Sequence, residues 1–596
     1  MKLKWLLLTV PFVFLYCAGN PESFGRIESK SDLQDVKIEE IEKKLNSSDT
    51  LTSAIQDISF LKRRDFGISG IILDDLQRQA EKNLYNNFQE AVESEDFKNA
   101  KRIYRSGKAM KLESFNSEWS DEKLDLEIAK QYLEREQYIP GILLFKDLIS
   151  SEIVTEDDLF LFADSAYKVS NKSILQDIVK SMIFKNIEVP REYMDFLSEK
   201  KNPADMLTGT VTIWVNKGIK IESGIGYPDR VIGSGFFIDP RGFILTNYHV
   251  IESEVDPEYE GYSRLYIRLS DSVEDKHPAK VVGYDRIFDI ALLKVEMDAP
   301  YVFSIDENEE YQPGETIYAI GSPGGLQNTI TSGIISAVER RFLQMGDAMQ
   351  VDVPINPGNS GGPLLNEDGQ ILGVVFAGIE QFEGINFAIP FLWVIDILPQ
   401  LFEGNEIVHP WLGMAVHEDD KNLEVMYTVP GESADMGGIG TGDLLLEING
   451  KKISTIRDVQ EYLISETPDT VVELSWEHDD KVFSGYFSLT ERPYYPLDTA
   501  IKRDRRDNLF IPLFGMEIEE THAFILDKSY SVKRVYRGSI ADETGISVND
   551  PLKVRNWKID DESRIAFLQI FVKKRKSGFM ESVIQLANYL EMDNFI

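Results

Sequence analysis

Three segments of this 596-residue chain carry residues suited to nucleophilic catalysis. The first is Gly233-Ser234-Gly235-Phe236-Phe237-Ile238-Asp239, followed by Gly242-Phe243-Ile244-Leu245-Thr246-Asn247-Tyr248-His249-Val250. Two strands joined by an Asp-Pro-Arg-Gly turn are expected to deliver His249 at a strand end. The second, Tyr284 to Val295, sets Asp289 just before an apolar, buried strand. The third, Asn356-Pro357-Gly358-Asn359-Ser360-Gly361-Gly362-Pro363-Leu364, holds Ser360 on a tight glycine-rich loop. A serine hydroxyl attacks a carbonyl efficiently only when an imidazole takes its proton. That imidazole needs a carboxylate on its far nitrogen to set the tautomer and stabilise the imidazolium. Glycines beside the serine let backbone N–H groups face the developing oxyanion without a Cβ in the way.

The order His, Asp, Ser is that of the chymotrypsin-like double barrel. Thr246-Asn247-Tyr248-His249-Val250, Asp289-Ile290-Ala291-Leu292 and Gly358-Asn359-Ser360-Gly361-Gly362-Pro363 resemble the signatures of HtrA/Deg proteases. That resemblance implies His249 as general base and acid, Asp289 as its orienting partner and Ser360 as the acylated nucleophile. It also implies an oxyanion hole from the backbone N–H groups of Gly358 and Ser360, with Asn359 between them. Six residues before the nucleophile, where the trypsin branch carries an Asp, stands Pro354. Cleavage after Lys or Arg is therefore not expected. Small or medium apolar side chains should enter a pocket walled by Ala377, Gly378, Ile379, Ile385, Asn386 and Phe387. The sequence departs from the family at Tyr248, where a small polar residue is commoner. An acidic insert, Glu252 to Tyr262, further lengthens the loop after the histidine.

The elements around these segments divide the chain into a multidomain α+β protein. Residues 33–201 show apolar residues at helical spacing with few glycines. Ala129, Tyr132, Gly141 and Phe145 are matched 34 residues later by Ala163, Ala166, Leu175 and Val179, and Phe88, Ala91, Ala100 and Tyr104 form an earlier copy. This pattern fits either a degenerate stack of hairpins resembling a tetratricopeptide array or an irregular helical bundle, and in both cases a module for protein partners. Short β-rich runs occupy 207–402, opening on a strand from Leu207 to Val215 and closing on a helix from Phe391 to Phe402. Residues 408–493 resemble a PDZ domain, through Trp411-Leu412-Gly413-Met414 and Gly442-Asp443 to Asn449-Gly450. There the Trp411-to-Met414 loop would capture the terminal carboxylate of a peptide and the next strand would pair with it. After a linker from Arg492 to Asp507, residues 508–596 form a fainter PDZ-like copy, with Asn549-Asp550 in place of Gly-Asp and no Ile-Asn-Gly turn.

Residues 1–17 pair Lys2 and Lys4 with a short apolar run ending at Cys17, the single cysteine. This is the pattern of an export signal, and it resembles a bacterial lipoprotein signal in which Cys17 becomes lipidated, although Tyr16 stands where a small residue is usual. Residues 18–32 read as a polar tether to the membrane. With one cysteine no disulfide can form within the chain. A net charge of −37 opposes binding to nucleic-acid phosphates; the basic run Lys573 to Lys576 is read as a solvated helix end. Hydrolysis through an acyl-enzyme requires neither metal nor cofactor. The family resemblance further implies unfolded or exposed polypeptide substrates and a homotrimer in the periplasm or cell envelope. The rival reading is a chaperone or scaffold whose triad never assembles.

Overall fold

The computed structural model describes residues 30–596 except 65–67, 117, 199–202, 223, 271–274, 306–310, 323–328, 342, 357, 379–384, 420–421, 525–526, 561–562, 576–577, 579, 591 and 593. Cys17, the rest of the expected signal, and Ile379 lie outside the described residues.

Helical hairpins build the first unit. Gly70–Glu93 pairs with Phe97–Ala109, Asp121–Glu134 with Tyr138–Lys146, and Glu156–Lys168 with Lys172–Phe184. One turn design recurs in all three. Glu95, Glu136 and Ser170 take left-handed φ values of 59°, 57° and 57° just past a helix end. The next N–H then reaches back to Ala91, Tyr132 and Ala166 respectively, at 2.8–2.9 Å. This is the Schellman closure, here made with few glycines. Asp96 and Asn171 then cap the following helices by accepting the N–H of Asn99 and Ile174. All twelve residues of the internal repeat are buried, so the periodicity marks where paired helices cross. The first helix opens at Lys30, inside the stretch expected to be tether.

Residues 210–390 form two barrels. β1 (Thr210–Glu222), β2 (Ile225–Asp239), β3 (Phe243–Thr246), β4 (Leu265–Leu269), β5 (His277–Asp285) and β6 (Ile290–Val295) close in the order β1-β2-β3-β6-β5-β4, because β5 pairs with both β4 and β6. The second barrel joins β7 (Thr316–Gly321), β8 (Thr329–Arg340), β9 (Ala348–Val351), β10 (Pro363–Leu365), β11 (Ile371–Gly378) and β12 (Asn386–Pro390). Closure leaves no unpaired sheet edge, and the inward side chains fill each interior. The strand expected from Leu207 starts at Thr210 instead. Leu207 and Thr208 end a short helix, Pro203–Thr208, whose proline suits a first turn.

Two β units follow. The first, where a PDZ domain is expected, runs from Pro410–Trp411 to Thr490–Glu491, with the helix Ile456–Ile464 held by a Thr455–Asp458 capping box. The second is a five-stranded meander from Met516–Phe524 to Met580–Tyr589. Among its described residues no helix follows Ile540–Glu543, so it lacks a counterpart of Ile456–Ile464. Two expectations change here. The proposed linker contains a helix, Pro496–Arg503, and Leu497 and Ala500 are buried in the second unit's core. Lys573 and Lys574 end a strand rather than a helix. Along Ile565–Lys574 the buried residues Ala566, Leu568, Ile570 and Val572 alternate with partly exposed ones, which is strand periodicity.

The helical unit grips both neighbours. Buried Gln56 donates to the Ser433 carbonyl at 2.8 Å and accepts from Ser433 Oγ and Ser488 N–H. Toward the barrels, Asn171 Nδ2 donates to the Ile305 carbonyl and Tyr132 Oη to Glu403. Buried polar groups paired this way fix orientation, since breaking them inside the interface leaves unsatisfied atoms.

Candidate active site

Asp289 organises one side of the site. Its φ of 54° is left-handed, which aspartate tolerates better than most residues. This turn presents four acceptor contacts to the histidine segment. The Asp289 carbonyl accepts Tyr248 N–H at 3.1 Å and Asn247 Nδ2 at 2.9 Å. Its carboxylate accepts His249 N–H at 2.8 Å on Oδ1 and His249 Nδ1 at 2.7 Å on Oδ2. The expected strand-end histidine therefore sits in the first turn of a helix, Tyr248–Val255, which starts once β3 has ended. Part of the acidic insert belongs to this helix. Tyr248 is buried and stacks on Tyr284 at 5.4 Å between ring centres, so its bulk packs the helix onto β5.

His249 remains open to solvent, with 44% of its side chain exposed. Partial burial alone would pull its pKa down. The charge of Asp289, the hydrogen bond to it, and Glu252 outweigh burial and raise it above 6.5.

The serine loop is held from beneath by a residue the sequence reading quoted but gave no role. Ser234 Oγ donates to the Gly358 carbonyl at 2.6 Å and accepts Ser322 N–H at 3.0 Å. Its own N–H donates to the Ser360 carbonyl at 2.7 Å. Its carbonyl accepts Thr246 Oγ1 at 2.7 Å. The Gly-Ser-Gly context was the available signal, because a serine between glycines lets two backbones close on it. Gly361, at φ 86°, shows how tight that approach is: a Cβ there would lie 2.2 Å from the Ser234 carbonyl oxygen.

These supports bring Ser360 and the His249–Asp289 pair to the junction of the barrels. Among the described residues no acceptor takes the N–H of Gly358 or of Ser360. Asn359 is buried between them, with Nδ2 toward the Pro354 carbonyl at 3.5 Å. Ser360 Oγ donates to the Phe376 carbonyl at 3.4 Å, and no described hydrogen bond joins it to His249.

The described residues expected to wall the pocket lie on or beside neighbouring strands. β12 lies between β9 and β11, placing Asn386 opposite Val351 and Gly378, and Phe387 opposite Gln350 and Ala377. Asn386 Nδ2 donates to the Val353 carbonyl at 2.7 Å, tying this wall to the residue before Pro354. Ile385 is partly buried.

Behind Asp289 lies a buried polar node that spacing gave no sign of. Asp285 Oδ1 accepts the N–H groups of Ile287 and Phe288, and Oδ2 meets His409 Nε2 at 2.7 Å. Asp285 and His409 are 0% and 3% exposed. His409 also passes its carbonyl to Arg492 N–H, and burial draws the Arg492 guanidinium down to about 10 against the pull of Asp285. Residues at the entry and exit of the first of the two later β units therefore converge on the turn that ends in Asp289. Asp285→Ala is expected to cost about 3–5 kcal/mol, because His409 and two N–H groups lose a buried partner. An earlier urea transition of the barrels would register it; an unchanged midpoint would count against the node.

Four stretches of the chain match known families: residues 233–374 a trypsin-like peptidase domain, 424–477 a PDZ domain, 497–590 the TP0546 family PDZ domain, and 32–125 a domain of unknown function. A probable periplasmic serine endoprotease DegP-like of Marinomonas sp. (strain MWYL1) is 30% identical over 344 residues, covering 55% of this chain and 71% of that protein. A protein of the same description from Hahella chejuensis is 30% identical, covering 57% and 75%. One from Chlamydia pneumoniae is 33% identical, covering 46% and 58%. Among solved structures, an HtrA-type protease AlgW with decapeptide aligns at 23% identity and a TM-score of 0.42, over 49% of this chain and 97% of that one.

Proposed function

The chain belongs to the HtrA family of DegP-like serine endoproteases with PDZ domains, and from that premise we propose that Ser360, His249 and Asp289 are its catalytic residues. The observation that carries this reading is the doubly accepting Asp289 carboxylate, which holds His249 by backbone and ring together.

Ser360 Oγ attacks the peptide carbonyl while its proton passes to His249 Nε2. The tetrahedral oxygen lies against the N–H groups of Gly358 and Ser360, which stabilise it without reorganising. His249 returns the proton to the leaving amine and then deprotonates the water that cleaves the acyl-enzyme. Asp289 stays ionised throughout. Pro354 removes the negative charge that would hold Lys or Arg in the pocket, so small and medium apolar side chains enter it. Unfolded or exposed polypeptides are the substrates, and the helical hairpins, read as tetratricopeptide-like, recruit protein partners. The assembly is a homotrimer, as in the family the sequence resembles.

A fluorophosphonate probe should label Ser360, and casein should be cut after apolar residues. Cuts mainly after Lys or Arg would sink the pocket assignment. No adduct under any condition would favour the scaffold reading.

The relatives are named as periplasmic. Those names support export to the periplasm; that Cys17 is lipidated and anchors the chain is our proposal from the apolar run before it. Wild-type cells fed labelled fatty acid should tag the protein, and Cys17→Ala should abolish the tag; an untagged wild type ends the anchoring proposal.

A further inference from the structure

The peptide groove of the first PDZ unit already holds a piece of this chain. Residues 594–596 run antiparallel to the strand Met414–Glu418, with Phe595 opposite Ala415. Gly413 and Met414 both donate their N–H groups to the Ile596 oxygen, at 3.1 and 3.2 Å. Ile596 N–H donates back to the Met414 carbonyl at 2.9 Å, and Val416 N–H donates to the Asn594 carbonyl at 3.0 Å. Asn594 Nδ2 adds a bond to the Val416 carbonyl at 3.2 Å. This is the bonding of a peptide added to a sheet edge. The left-handed φ of Gly413, 79°, lets two successive N–H groups converge on one oxygen.

The side chains fill the space on both faces. Ile596 is 2% exposed and joins the core that contains Leu412, Met414, Val416 and Val459. Phe595, also 2% exposed, joins Ala415, Met426 and Tyr427 of the first unit in a core that continues into the second. An incoming peptide would need the same N–H groups and the same apolar space.

We propose that Asn594–Ile596 is an intrachain ligand that keeps the first PDZ groove closed, and that an external polypeptide segment presenting an aromatic–aliphatic pair enters only by displacing it. A tethered ligand acts at an effective concentration on the order of millimolar. Against a groove of ~10 µM intrinsic affinity, it would weaken external binding about 100-fold. Displacement would also pull Phe595 out of the core shared by the two PDZ units, so occupancy by a foreign segment loosens one unit from the other.

The test titrates a fluorescein-labelled peptide carrying residues 589–596 into the full chain and into a chain lacking residues 594–596, read by anisotropy. The shortened chain should bind at least tenfold more tightly. Equal affinities, or no binding by the shortened chain while it remains folded, would overturn the proposal. A second variant does not depend on that truncation folding. Ala415→Cys/Phe595→Cys, made with Cys17→Ala, should cross-link on oxidation, lose peptide binding, and regain it on reduction. Failure to cross-link, or binding indifferent to redox state, would equally overturn it. Neither readout involves Ser360, so the proposal and the protease reading stand or fall separately.

Discussion

Ser360→Ala is expected to lower kcat on a peptide substrate by on the order of 10⁵–10⁶-fold, since removing a triad nucleophile costs about as much as removing the whole triad. The fold should not change. Among the described residues Ser360 Oγ makes one long hydrogen bond, to the Phe376 carbonyl. The loop is held instead by main-chain groups, through Ser234 to the Gly358 and Ser360 carbonyls. Those contacts survive the loss of a hydroxyl. Progress curves on casein, with near-UV circular dichroism as the structural control, separate the two effects. Activity within tenfold of wild type would remove Ser360 from the mechanism.

Asp289→Asn should reduce kcat by about 10⁴-fold while leaving the site's shape intact. Asparagine matches aspartate in volume and also tolerates the left-handed backbone at this position. The defect is chemical. Both carboxylate oxygens accept hydrogen bonds, one from His249 N–H and one from Nδ1. An amide has a single accepting oxygen. If that oxygen keeps the backbone N–H, the NH₂ group faces Nδ1, which must then accept. The imidazole proton moves to Nε2, where it cannot take the proton of Ser360. The pH profile supplies a second readout. Burial pulls the His249 pKa down, but Asp289 and Glu252 leave it above 6.5. Only the neutral imidazole acts as base, so activity rises with pH through this raised pKa. In Asp289→Asn the supporting charge is gone while burial persists, and the acid limb of kcat/KM should move to lower pH. An acid limb that stays in place would mean Asp289 does not set the titration of His249.

Much of this was legible in local pattern. The order of His249, Asp289 and Ser360, the glycines around the serine, and the apolar run after Asp289 each depend on residues adjacent in the chain. So does the repeat of small and large residues whose members prove to be buried helix crossings. Single-turn errors arose where two local readings compete. His249 follows a strand closely enough to read as its end, and only the contacts from Asp289 show that Asn247 and Tyr248 begin a helix. Arg492 to Asp507 looks like a linker by composition, because the packing of Leu497 and Ala500 against later strands has no local signature.

The sequence by itself determined that a histidine, an aspartate and a serine among glycines stand in the order and local setting that acyl transfer would use. Residue type and short spacing set hydrogen-bonding capacity and backbone freedom, and these are local properties. The tertiary structure alone decided what surrounds that chemistry. Asp285 finds His409 across 124 residues of chain. Ser234 reaches Gly358 across the same separation. Asn594 reaches Val416 from 178 residues away. Such partners are selected by barrel closure and the burial of whole surfaces, which satisfy polar groups wherever the fold brings them together. No periodicity records those meetings.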